Sequence, residues 1–234
     1  MDLHRATRRG DRKSQLGIFF SNGLQRADDA SAVSAIVPSG CWADTVRMGL
    51  DGSLTNQLLI AMPGMADPNF STTVTLICEH NDEGALGIVI NRPLQLKFGG
   101  LLKQLDVADP DPSVVDNPVM MGGPVGPERG FVLHDTSHQY ENSLAVSSEI
   151  CLTLSRDVID AMANGRGPQK SLVALGYAGW EAGQLEAEML ANSWLNVPAT
   201  AEIVFDMPFA DRWAAAARAL GVDLTLLSPE AGHA

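Results

Sequence analysis

The chain has 234 residues, 45% of them hydrophobic, which is enough for a substantial core and too many for disorder throughout. Its formal charge of −12 argues against extended contact with nucleic acid phosphates, which depends on clustered Lys and Arg, so direct nucleic acid binding is not expected. No apolar run approaches the roughly 18 residues of a membrane-spanning helix, and Cys41, Cys78 and Cys151 lack the spacing of a disulfide framework or a thiolate zinc site.

Residues 1–53 differ from the rest. They carry seven Arg and Lys (Arg5, Arg8, Arg9, Arg12, Lys13, Arg26, Arg47) against six acids, whereas the remainder carries nine bases against 22 acids. Leu16 to Phe20 is too short for the apolar region of an export signal behind Arg8 and Arg9. Without periodicity, and rich in Ser, Ala, Asp and Gly, this stretch reads as a flexible extension. Met48 precedes the first ordered pattern, which suggests a natural start at or near it and an upstream start-site artefact.

The domain itself is expected from Leu54 to the end. Leu58 to Met62, closed by Pro63-Gly64, and Val74 to Cys78 read as strands, and Gly84 to Ile90 is a third, ended by Asn91-Arg92-Pro93. Phe98, Leu101, Leu102 and Leu105 share one face of a short helix. Asp106 to Pro118, dense in Asp and Pro, reads as an exposed loop.

Strands recur at Val119 to Met121 and Phe131 to His134, with an irregular pair between Leu144 and Leu154. Ser155 can cap a helix through Met162 to Asn164-Gly165, with Asp157 in its first turn. Leu172 to Gly176 is another strand. It is expected to lead through Gly176-Tyr177-Ala178-Gly179 into a helix with Leu185 and Met189. Ile203 to Phe205 reads as a last strand, before a helix with Phe209, Trp213, Ala216, Ala217 and Leu220 on one face and Gly221 as its stop. The predicted class is α/β or α+β, a mixed β-sheet layered with helices in a single compact domain over residues 54–234.

Two enzyme motifs are missing: neither Gly-x-Ser-x-Gly nor Gly-x4-Gly-Lys-Ser/Thr occurs. In Gly122-Gly123-Pro124-Val125-Gly126 the proline removes an N–H donor, which favours turn geometry over a phosphate cradle. His134 and His138 stand four apart but in loop-like surroundings, and no metal or other cofactor is expected. Glu79 and His80, at a strand end, form a candidate acid/base pair.

Cations outside the extension are scarce, and Arg92, Arg129, Arg156 and Arg212 fall at predicted element ends, where α/β proteins tend to bind ligands. Arg92 and Arg129 could grip a small anion together with backbone N–H groups, or pair with local acids. Gly176 to Trp180 could present helix amides and two aromatics to a ligand, with core packing as Trp180's alternative. The candidate ligand site is therefore Asn91, Arg92, Gly122, Gly123, Arg129, Tyr177 and Trp180.

Several segments, in order, resemble the signatures of the YqgE/AlgH family. They are Leu59 to Met65, Cys78-Glu79-His80-Asn81 with Gly84 to Pro93, and Gly122-Gly123-Pro124 with Arg129 to His134. Gly176 to Trp180 with Gly183-Gln184-Leu185, Trp194-Leu195 and Asp211-Arg212-Trp213 extend the likeness over about residues 54–234. The resemblance implies a bacterial cytoplasmic protein with a mixed-sheet α/β fold and no established activity. The residues before Leu54 have no counterpart in the family pattern.

A role in regulating alginate synthesis is attached to one member's name, but no basic recognition helix supports DNA binding here; the last helix carries only Arg212 and Arg218. Three readings follow. The first is a non-catalytic or regulatory binder of a small anion or a nucleotide-like ligand. The second is a transcriptional regulator acting through protein partners. The third is a hydrolase using Glu79 or His80 with an Arg as electrostatic clamp.

Overall fold

The computed structural model describes residues 52–221, so the readings that fall on residues 1–51 and beyond Gly221 lie outside the described residues. Ten strands form one curled sheet: β1 (Gln57–Ala61), β2 (Val74–Asn81), β3 (Gly84–Val89), β4 (Pro93–Lys97), β5 (Pro118–Met121), β6 (Val125–His134), β7 (Ser143–Ala145), β8 (Cys151–Thr153), β9 (Ser171–Glu181) and β10 (Trp194–Pro198). The helices are α1 (Phe98–Gln104), α2 (Arg156–Ala163), α3 (Gln184–Leu190) and α4 (Arg212–Ala219), with a π-helical turn at Glu202–Asp206.

The main path runs β10-β1-β2-β3-β9-β6-β8-β7, and β4 pairs with β5, which pairs with β9. All pairs are antiparallel except β5 with β9, so the sheet is mixed as expected.

Strand β9 is the spine. Its first half lies between β5 and β6, and its second half pairs with β3 (Gly87 opposite Ala178, Gly84 opposite Glu181). Gly176 joins the halves with φ +73°, a conformation that a side chain resists. Its effect shows in the core. Leu172 and Ala174 face inward and Val173 and Leu175 outward; past Gly176 it is Tyr177 that faces inward, and Ala178 and Trp180 that face outward. An extra residue in left-handed geometry shifts the alternation by one, as in a bulge.

This corrects two expectations. Gly176 to Trp180 is not a strand-to-helix junction, because the strand continues to Glu181 and the next helix begins only at Gln184. Ile203 to Phe205 is not a strand; it lies in the π-helical turn, and Ile203 and Val204 bury against the inner core. Strands β4 and β10 carry no sequence prediction. β4 alternates exposed and half-buried positions and opens with Pro93, and β10 mixes Trp, Asn and Pro.

Three apolar clusters hold the layers. Inside the curl lie Leu58, Leu76, Ile88, Phe131, Leu152 and Tyr177, closed by Val204 and Ala216. Helices α1 and α2 cover Val119, Val132 and Val173 with Phe98, Leu102, Val158 and Ile159. Helix α3 places Leu185 over Ile77, Ala85, Trp180 and Trp194. Each fully buried Leu, Ile or Phe contributes about 1.5–3 kcal/mol relative to exposure. Arg212 is buried within this framework, with Nε donating to the Met207 carbonyl and Nη1 to that of Ile90; burial lowers its pKa to about 10. No helix among the described residues is long and apolar enough to cross a membrane.

Candidate functional site

The residues singled out from sequence separate into local structural roles. Asn91 Oδ1 accepts the Val74 N–H and its Nδ2 donates to the Thr72 carbonyl, while Arg92 donates to the carbonyls of Pro68, Asn69 and Ser71 at 2.7–2.8 Å. Both side chains fasten the turn before β2.

Gly122 and Gly123 do meet Tyr177, but as backbone on backbone. A Cβ at Gly122 would stand 2.3 Å from the Gly176 carbonyl oxygen, and one at Gly123 2.1 Å from the Tyr177 carbonyl carbon. That is close packing of backbone on backbone where the β5–β6 connection crosses β9. Arg129 folds its methylenes over Gly126, whose Cβ would lie 3.0 Å from Arg129 Cδ.

Tyr177 packs on Phe131 in the inner core. Trp180 lies on the opposite face, its indole N–H bonded to Glu188 Oε2 at 3.0 Å; the Trp194 indole reaches the same oxygen at 2.8 Å. Phe70 completes this aromatic group.

Glu79 and His80 also part. Glu79 stands opposite Leu86 and His80 opposite Ala85, consecutive positions on β3 and hence opposite faces. The Leu54 N–H donates to His80 Nδ1 at 2.9 Å, so Nε2 carries the proton and donates to Glu186 Oε1 at 2.8 Å. Both ring nitrogens are engaged. Glu79 is half-buried with Oε2 lacking a partner; burial raises its pKa to about 7, Glu83 adding to the rise against the Asn81 amide hydrogen bond.

A concavity lies elsewhere, between the loop after β6 and helix α2. It has a volume of about 430 Å³ and is lined by His138, Tyr140, Asp157, Asp160, Ala161, Asn164 and Arg166. Sequence dictates its wall. Asp157, Asp160, Ala161 and Asn164 recur at the three- and four-residue steps that bring side chains onto one side of a helix. Gly165 then ends the helix at φ +65° and turns Arg166 toward the same opening.

The acids here are largely committed. Asp157 Oδ1 accepts from the Ser155 hydroxyl and the Val158 N–H, and its Oδ2 from the Glu141 N–H. Asp160 lies 3.5 Å from Arg156 Nε, while Arg156 Nη2 donates to the Leu105 carbonyl. The exposed side chain of Arg166 has no hydrogen bond or ion pair among the described residues. The lining thus carries two aspartates, largely engaged by neighbouring groups, and one arginine whose guanidinium is uncommitted.

Beneath the loop lies a polar chain. His134, fully buried, donates from Nδ1 to the Asp135 carbonyl at 2.6 Å, which fixes Nε2 as acceptor from the Thr153 hydroxyl at 2.8 Å; Thr153 in turn contacts the Ser143 hydroxyl. The Tyr140 ring stands on His134 on one side and stacks with His138 on the other, and its hydroxyl is closed off from solvent without a partner. His134 and His138 thus play separate parts, and no cluster of metal-ligating side chains occurs among the described residues.

Sequence reasoning passed over Arg166 because it sits in a Gly-Arg-Gly turn rather than at a strand end. The available signal was the spacing from Asp157 to Asn164 along one predicted helix.

A family model described as AlgH-like matches residues 58–225. The chain is 50% identical over 180 residues to a UPF0301 protein of Methylococcus capsulatus, covering 77% of this chain and 96% of that one. It is 54% identical over 182 residues to one of Cupriavidus pinatubonensis, covering 78% and 96%. Among solved structures, the solution structure of the AlgH protein of Pseudomonas aeruginosa matches at 49% identity with a TM-score of 0.67, covering 80% of this chain and 100% of that one. A Corynebacterium diphtheriae protein with 18% identity and a TM-score of 0.59, covering 72% and 87%, shares the fold.

Proposed function

The chain belongs to the AlgH-like family, and we propose that it is a non-catalytic binder of a small anionic, nucleotide-like ligand, held in the concavity between the β6–β7 loop and α2. The observation that carries this reading is Arg166. Arg92, Arg156 and Arg212 spend their guanidinium groups on carbonyls or an aspartate, while Arg166 opens uncommitted onto a concave wall with an imidazole and a phenol ring beside it. A guanidinium fork matches phosphate or carboxylate, and flat aromatic surface accommodates a planar ring.

Binding without catalysis fits the remaining chemistry. His80 has both nitrogens engaged, Glu79 lies on the other face of the sheet, and burial holds the Cys78 thiol far above its ordinary range, where it is not nucleophilic. In this reading any regulatory role runs through ligand occupancy and a protein partner rather than DNA, since an acidic surface repels phosphate backbones. A cytoplasmic setting suits the free thiols Cys78 and Cys151.

Native mass spectrometry of protein purified from its own cells tests the reading. The expected spectrum shows a bound small molecule that is lost from Arg166→Gln and from the cavity-filling Ala161→Trp. An adduct retained in both variants, or no adduct in any preparation, contradicts it.

A further inference from the structure

We infer that binding in this concavity is coupled to a proton on buried His134, so that an anionic ligand binds more tightly once that imidazole is charged. The inference rests on the ligand-binding reading above and concerns how the same site is regulated.

The geometry supplies the coupling. The Tyr140 ring lies between the two imidazoles, edge-on to His134 at 5.2 Å and stacked with His138 at 6.2 Å. A charge arriving beside His138 and Arg166 is therefore one aromatic ring away from His134. That ring is too thin to screen it, and no solvent reaches the His134 side chain.

The hydrogen-bond chain supplies the means. In the neutral state Thr153 donates to His134 Nε2, and Thr153 can accept from Ser143. Protonating Nε2 turns it into a donor, so the Thr153 hydrogen must swing away. Ser143 Oγ can accept it, because the Ser143 hydroxyl has a second acceptor, the Tyr140 carbonyl at 2.9 Å. Two hydroxyl rotations thus convert one satisfied network into another. A buried imidazole without such a chain would lose a partner on charging.

The groups facing His134 set the balance. Burial lowers its proton affinity and His138 lowers it further, while the Asp135 carbonyl and the carboxylates of Asp135 and Asp157 raise it. Cys151 on β8 and Tyr140 are neutral, their pKa values raised by burial. Lys170, before β9, engages Asp206 with its ammonium. The neutral form is favoured, and a bound anion adds to the side that favours charge. By reciprocity, a rise of one pKa unit on binding means about tenfold tighter binding to the charged form.

The test uses cyclic AMP and benzenesulfonate, whose single negative charges stay constant between pH 5.5 and pH 8. Affinity is measured across that range for wild type, His138→Gln and Thr153→Val, with circular dichroism confirming folding. The ¹⁵N resonances of His134 are followed in the wild-type protein, free and with probe bound.

The expected result is about tenfold tighter binding at the acid end, kept in His138→Gln despite its weaker affinity and flattened in Thr153→Val, with Nδ1 the protonated nitrogen at pH 8. If Thr153→Val does not fold, the His134 resonances decide: the probe should raise the pH at which they titrate. A flat wild-type profile, a profile that vanishes in His138→Gln, or a proton on Nε2 at pH 8 overturns the coupling alone. Absence of binding by either probe at every pH overturns the site and the coupling together.

Discussion

Tyr140 stands at 88° to His134, ring centroids 5.2 Å apart, and this packing shuts the imidazole away from solvent. Its consequence for stability has a definite sign. Burial holds the His134 pKa below its ordinary 6.5, so below that pH the unfolded chain binds a proton that the folded chain resists. Stability is therefore full above about pH 6.5 and falls as the pH drops through the window beneath it. His134→Asn should lower the urea midpoint at pH 7.5, and the gap between wild type and this variant should narrow toward pH 5, a difference that cancels the opposing titration of other groups.

Glu79 acts with the opposite sign. Its pKa, raised from 4.5 to about 7, means that the folded state holds the proton more tightly than the unfolded state. The stabilisation is present below about pH 4.5 and is lost as pH rises through 7. Because the group is only half-buried, solvent screening reduces its worth, and Glu79→Gln should stabilise the protein by about 1 kcal/mol at pH 8. Thermal midpoints at pH 5 and pH 8 check this, with the variant gaining at pH 8 and little at pH 5.

Arg92 is a fastener of the turn at residues 67–72. Arg92→Met leaves three carbonyls without their donor and should cost about 1–3 kcal/mol, with faster hydrogen exchange before β2. It should leave the affinity for cyclic AMP unchanged within twofold. A large loss of affinity with an intact turn would return the anion site to this edge.

Glu188 joins two tryptophans. Glu188→Ala removes the acceptor from the indole N–H groups of Trp180 and Trp194 together, which should cost about 2–3 kcal/mol and shift tryptophan emission. Glu188→Gln keeps an acceptor oxygen and should recover most of the loss.

How much of this was legible in the sequence follows the strength of local signals. Strands β1, β2 and β3 were readable because each holds a largely apolar run closed by Pro-Gly, a polar stretch or Asn-Arg-Pro, although β2 continues past its run through the polar Glu79, His80 and Asn81. Helix α2 was readable from its flanks, Ser155 before it and Asn164-Gly165 after it, although the Ser155 hydroxyl bonds Asp157 rather than a helix N–H. Strand β9 was cut short at Gly176, because a glycine inside an apolar run gives no sign of whether the chain ends there or bulges and continues.

The site was legible only in part. Glycines and arginines at element ends marked real features, but Arg92 answers to carbonyls more than twenty residues away, and Gly122 and Gly123 answer to the backbone of β9. Such partners are set by the tertiary fold and leave no local pattern. Arg166 drew no attention for the complementary reason, since a residue without a partner among the described residues has no local signature either.

The most direct measurement is an amide chemical-shift map of the full chain titrated with cyclic AMP. Saturable shifts should concentrate at His138, Tyr140, Asn164 and Arg166, with affinity at least about tenfold weaker in Arg166→Gln, roughly the loss of one charge-assisted contact. Shifts gathered instead at Asn91, Arg92, Gly122, Gly123 and Arg129, and unaffected by Arg166→Gln, would contradict a site at Arg166.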